Sequence, residues 1–204
     1  LFIYHDEASR EIAFTSEKEL LTILRYHDSL KKPFFHPVNT LEGISVTRGW
    51  PLDPMPLEPL DHPHQTGLWL NFGDVNGYDF WNNRRDISAQ KKEEYGTIET
   101  LSVNLLDTEK NRAVFYLTSQ WKGGRGEKLL RDSSVFRLIR KDDCWWIERE
   151  THLFALDTLR LKDNKEGLFA IRVAREWQSD TGSVTPVLDS MLRPSKSTHR
   201  GSKT

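Results

Sequence analysis

The sequence predicts an all-β fold, an antiparallel β-sandwich that carries a long, ordered, proline-rich loop. Three observations lead there. Five stretches from Thr97 onward alternate apolar and polar residues or are rich in β-branched ones, polar turn residues separate them, and six prolines punctuate the segment from Lys32 to Asp61.

The five strands are expected near 97–106, 113–121, 129–140, 144–155 and 168–176. The breaks carry suitable chemistry: Asp107 to Asn111, Lys122 to Glu127 with Gly123, Gly124 and Gly126, and Lys141 to Asp143. Short hairpins and few helical stretches favour one sheet packed on another over a parallel α/β arrangement. Within 144–155, Glu148, Glu150 and His152 alternate with Trp145 and Ile147, as on a sheet with one solvated face. Upstream, Thr15 to Asp28 admits two readings. Ser16 and Glu19 have capping-box spacing ahead of Leu20, Leu21, Ile23 and Leu24, which suits a helix, while Leu21 to Tyr26 equally suits a strand. Pro33, Pro37, Pro51, Pro54, Pro56 and Pro59 remove amide donors, so the second part of their segment should be an extended binding loop.

One domain is expected over 1–180, followed by a disordered tail over 181–204 that lacks aromatic residues and is rich in Ser, Thr, Lys, Arg and Pro. With 29 Lys and Arg against 30 Asp and Glu, the net charge of -1 gives no global field for a polyanion, so nucleic acid is not an expected partner. No apolar run approaches the ~20 residues of a membrane helix. The lone Cys144 excludes an internal disulfide and a multi-thiolate zinc site within one chain. The compartment is left open between cytoplasm and a periplasmic or secreted setting with the signal peptide removed.

The densest set of chemically able residues is Asp61-His62-Pro63-His64, followed by Gly67-Leu68-Trp69 and by Gly73-Asp74-Val75-Asn76-Gly77-Tyr78-Asp79-Phe80-Trp81. In extended backbone, side chains two apart share a side, so His62 and His64 can face one ligand as acid and base. Asp61 can orient one imidazole by accepting its second ring proton. His36 is a third candidate, and His36, His62 and His64 with a carboxylate would form the ligand set if a single divalent metal is bound. The leading scheme requires no cofactor. Arg48 and Lys165 would stabilise negative charge, with Glu166 and Arg172 nearby in sequence as binding residues. Trp69 or Trp81 would stack on a sugar ring, although core packing is the default for tryptophan. Asn76 and Asp79 serve either as ligand contacts or as parts of a turn, since Asn76-Gly77 is a strong turn signal.

These residues also carry a resemblance. Lys32-Pro33-Phe34-Phe35-His36-Pro37-Val38, Val46-Thr47-Arg48, Asp61-His62-Pro63-His64, Gly67-Leu68-Trp69, the Gly73 to Trp81 run, Asp163-Asn164-Lys165-Glu166-Gly167 and Ile171-Arg172-Val173-Ala174 together resemble the bacterial PmoA-like family, in order, over roughly Leu30 to Glu176. The resemblance implies a β-sandwich domain often labelled "methane oxygenase PmoA". A methane-oxidising role is set aside, because the membrane subunit of that name spans the bilayer and this sequence has no spanning segment. PmoA-like proteins accompany sugar-processing enzymes, which points to a carbohydrate or other small-molecule ligand. Two departures stand out: Gln65 replaces a histidine usual after His64, and a later stretch rich in Trp, His, Arg and Asn-Pro is missing, as in a shortened chain. The expectation is therefore an acid–base enzyme performing hydrolysis, elimination or epimerisation on a sugar derivative. The alternatives are a non-catalytic sugar-binding module and a mononuclear metal-dependent hydrolase or oxygenase. A sandwich lacking strands would also expose edges, so self-association through an edge strand is expected.

Overall fold

A computed structural model describes residues 1–178. Two antiparallel sheets account for nearly all its regular structure. The first holds β1 (Phe2–Asp6), β2 (Glu11–Ser16), β3 (Glu19–Arg25), β4 (Phe34–Val38) and β5 (Leu68–Phe72), in that order, with β10 (Gly167–Ile171) beside β5. The second is a four-stranded meander of β6 (Thr97–Glu109), β7 (Arg112–Lys122), β8 (Lys128–Lys141) and β9 (Cys144–Ala155). The all-β sandwich read from the sequence is the architecture found.

The sheets pack through their alternating faces. From β7 and β8 come Ala113, Phe115, Leu117, Phe136 and Leu138; against them lie Ile12, Phe14, Leu24 and Phe35 of the first sheet. Phe115 stacks on Phe14 and Phe136 at centroid distances of 5.6 and 4.9 Å. A second cluster gathers Leu70, Val75, Phe80, Ile98, Trp121, Leu129 and Leu130. On the same inward rows lie polar groups: buried Asp132 accepts the Trp121 indole N–H at 2.7 Å, and Arg149 donates to Ser134 and Thr151. Buried polar groups need such partners, since an unmet one costs roughly 1–3 kcal/mol. On β9, Trp146, Glu148, Glu150 and His152 occupy the exposed row.

Strands β6 to β9 match their expected positions closely. Two expectations are corrected. The helical reading of Thr15 to Asp28 gives way to the β2–β3 hairpin, in which Ser16 and Glu19 are cross-strand partners flanking a two-residue turn rather than a capping box. Glu17 at that turn has a φ of 57°, which a helix start would not take. The strand expected over 168–176 ends at Ile171, and residues 172–174 turn instead to pair with 46–48: Arg48 N–H donates to Arg172 O, and Ala174 N–H to Val46 O. The proline-rich connection spans residues 39–67, because Phe34 to Val38 is already a strand. Among the described residues, no helix is long and apolar enough to cross a membrane. The tail expected over 181–204 lies outside the described residues.

Candidate functional site

The connection 39–67 is shaped by charged side chains, because its prolines deny it a ladder. Glu58 accepts backbone N–H bonds from Gly49, Trp50 and Met55 at 2.8, 2.9 and 3.1 Å. Burial pushes its carboxyl up, yet those bonds and Arg48 together hold it below the usual range. The Arg48 side chain is wholly buried and donates to the carbonyls of Pro59, Asp61 and His62 and, at 2.5 Å, to the Asp61 carboxylate. Gly67 ends the connection with a φ of +58°, so close to β4 that a Cβ there would lie 1.9 Å from the Phe35 carbonyl oxygen. Only glycine fits that approach.

Asp61 is the hub. Its Oδ1 accepts from Arg48 and, at 3.2 Å, from Arg172, while its Oδ2 lies 2.5 Å from His62 Nδ1. Partial burial raises the Asp61 pKa, but His62 and the two arginines bring it below the ordinary carboxylate value. Asp61 is therefore ionised at neutral pH, and the His62 ring, half exposed, is held by one nitrogen. Arg172 also donates to Gln65 Oε1 at 3.1 Å, so the Gln65 side chain is committed to this arginine. The rings of His62 and His64 meet edge to face, 5.6 Å apart.

His64 leads inward. Its imidazole pKa falls to about 4, first through burial and then through Lys32, His62, Arg84 and Arg48, so the ring is neutral at pH 7. It lines a cavity of about 360 Å³, whose wall also includes Lys32, Phe34, Trp50, Thr66 and Asn83, with Arg84 and Arg85 at the exposed side. Lys32 is 5% exposed. Its ammonium donates to the His64 carbonyl at 2.6 Å and lies over the Trp69 ring at 5.2 Å, and burial lowers its pKa to about 7.

Of the expected site residues, the structure brings together Arg48, Asp61, His62, His64 and Arg172. The others are elsewhere or otherwise engaged. His36 is buried, with Nδ1 3.4 Å from Thr47 Oγ1, and burial followed by Arg25 pushes its pKa down to about 4. Trp69 and Trp81 are 2% and 7% exposed and pack on each other and Phe34, so neither offers a face to a sugar; Trp50 is the tryptophan on the cavity wall. Asn76 is consumed by the Thr158 carbonyl and the Arg160 N–H, and Asp79 by the backbone and side chain of Asn82. Both are structural. The Asn76-Gly77 turn is the predicted tight reversal, with φ of 55° and 86°. Exposed Lys165 pairs with partly buried Glu166 at the opposite end of β10 from Arg172, about 20 Å away at ~3.3 Å per residue, so Lys165 cannot stabilise charge near His62. Arg48 does not face a ligand either; it positions Asp61. Among the described residues, no three His, Cys, Asp or Glu side chains are grouped to hold a metal, so His36, His62 and His64 do not form the expected ligand set. Lys32 is the residue that sequence reasoning left out, and the only signal for it is its place in Lys32-Pro33-Phe34-Phe35, a cation leading an apolar strand.

The fold and site define a two-sheet, all-β protein with an arginine-braced Asp–His pair beside a cavity. The chain belongs to the family of unknown function DUF6807, whose model matches residues 11–190. No curated protein and no solved structure matches the chain.

Proposed function

We propose that this protein is an acid–base enzyme acting on a sugar derivative, with His62 as the general base. One observation carries the reading: Asp61, fixed by Arg48 and Arg172, lies 2.5 Å from His62 Nδ1 in the arrangement that orients a catalytic imidazole and stabilises its protonated form. The half-exposed His62 ring can take a proton through Nε2, one ring away from the cavity wall. His64, neutral at pH 7, supplies a hydrogen-bond donor or acceptor there. The cavity of about 360 Å³ suits a monosaccharide, with Trp50 as its aromatic wall and Thr66 and Asn83 as polar groups. The resemblance to PmoA-like proteins supports carbohydrate as the substrate class.

Proton abstraction leaves an isotopic record. Incubation with a panel of uronates, ketoses and sugar lactones in D2O, followed by NMR, should reveal C–H exchange, epimerisation, elimination or ring opening with one of them. His62→Gln should reduce that rate by about 10²–10⁴-fold. Saturable binding with neither exchange nor product across the panel would replace this reading with a non-catalytic sugar-binding module.

A further inference from the structure

We infer that the cavity receives a ligand bearing an oxyanion, a carboxylate or a phosphate, and that Lys32 is the residue that binds it. This deepens the proposed function, on which the sugar part of the ligand rests. Lys32 is a buried cation on the cavity wall, and among the described residues no carboxylate stands within ion-pair distance of its ammonium. Its partners are one backbone carbonyl and the face of Trp69. A buried charge without a counter-ion is costly, and proteins ordinarily pair or neutralise it. Burial is the cause that lowers its pKa, with no opposing carboxylate to raise it.

The surroundings share its sign. Lys31, Arg84 and Arg85 line the same cavity, and its one acidic lining residue, Asp86, is paired with Arg84 at 3.0 Å. A net positive cavity in a chain of net charge -1 concentrates anions locally despite the absence of a global field. An entering oxyanion would supply the counter-charge that Lys32 lacks, with Arg84 and Arg85 drawing it in from the exposed side. A neutral sugar offers Lys32 only hydroxyl acceptors.

Isothermal titration of the protein with glucuronate, galacturonate, glucose 6-phosphate, inorganic phosphate and glucose tests this. At least one anionic sugar should bind tenfold or more tightly than glucose, with an affinity that falls as sodium chloride rises. Lys32→Met should erase that preference. If Lys32→Met does not fold, Arg84→Gln should still weaken the anionic sugar several-fold and flatten the dependence of its affinity on sodium chloride. Glucose binding as tightly as the acidic sugars, or no saturable binding by any anion, overturns the inference; the first of these outcomes leaves the sugar reading intact. Inorganic phosphate binding with no sugar bound supports the oxyanion site and removes the sugar reading. Comparison of the uronates with glucose 6-phosphate separates a carboxylate from a phosphate ligand.

Discussion

The sheet β6–β9 and the connection 39–67 satisfy their polar backbones by opposite means. The sheet uses long ladders, broken only by bulges, between strands that follow one another in sequence, closed by short turns. The connection, interrupted by prolines, uses side chains: Glu58 gathers three backbone N–H groups, and Arg48 bridges three carbonyls and a carboxylate. The difference teaches that a charged residue in such a segment can be scaffold. In the sheet, charge takes no part in the ladder, even where it faces inward as at Asp132 and Arg149; in the connection, it replaces the ladder.

The comparison can be broken most forcefully at Arg48. Arg48→Met leaves three carbonyls without their donor and takes one of three partners from the half-exposed Asp61 carboxylate, so stability should fall by about 3 kcal/mol, since hydrogen bonds to a charged group contribute roughly 1.5–3 kcal/mol each. Chemical denaturation measures it, and a loss under 1 kcal/mol would show that the segment is held some other way. Gly67→Ala comes next. The left-handed φ and the approach to the Phe35 carbonyl should together cost at least about 2 kcal/mol, seen as a lowered Tm.

The pH dependence sharpens the comparison further. His36 and His64 both have folded pKa values near 4 against an ordinary 6.5. The unfolded chain thus binds more protons between these values, so stability is full above about pH 6.5 and falls as pH drops toward 4. Each histidine contributes a slope of up to ~1.4 kcal/mol per pH unit. His64→Gln should remove its share of the slope, leaving that of His36; an unchanged slope in denaturation curves between pH 4 and 6.5 would contradict it. The smallest effect belongs to the sheet. Arg112 pairs with Asp107 at 2.5 Å on its surface, as short as the Arg48–Asp61 bond, yet Arg112→Ala should shift stability by no more than ~0.5 kcal/mol because both side chains are solvated.

The same contrast explains what was legible in the sequence. Strands β6 to β9 were readable because long alternation and turns containing glycine, asparagine or aspartate are local signals. Strands β1, β2, β4 and β5 have only five or six residues each, too few for a period to stand out, and they pair partly across long connections. Ser16 and Glu19 misled because the spacing of a capping box is also that of a two-residue hairpin. In the site, Asp61 and His62 were readable because they are neighbours in sequence. Lys32 was not, since its partner is the backbone carbonyl of His64, which no residue type announces. Trp69 and Trp81 looked available because spacing gives the side a residue faces and not whether that side is covered. Arg48 and Lys165 looked alike as cations; only tertiary contacts separate a buried brace from an exposed end.

The bond from Arg172 to Asp61 joins residues 111 apart, and the adjoining bridge ties Thr47 to Val173. As the chain leaves the ribosome, β1 to β5 can pair early, but the Arg172 side of the hub around Asp61 must wait until the whole four-stranded meander has been synthesised and β10 has docked on β5. Sequence separations of this size slow closure. A chain translated only through the meander thus carries both histidines with Arg48 alone to hold Asp61, and the brace is completed only when Arg172 arrives.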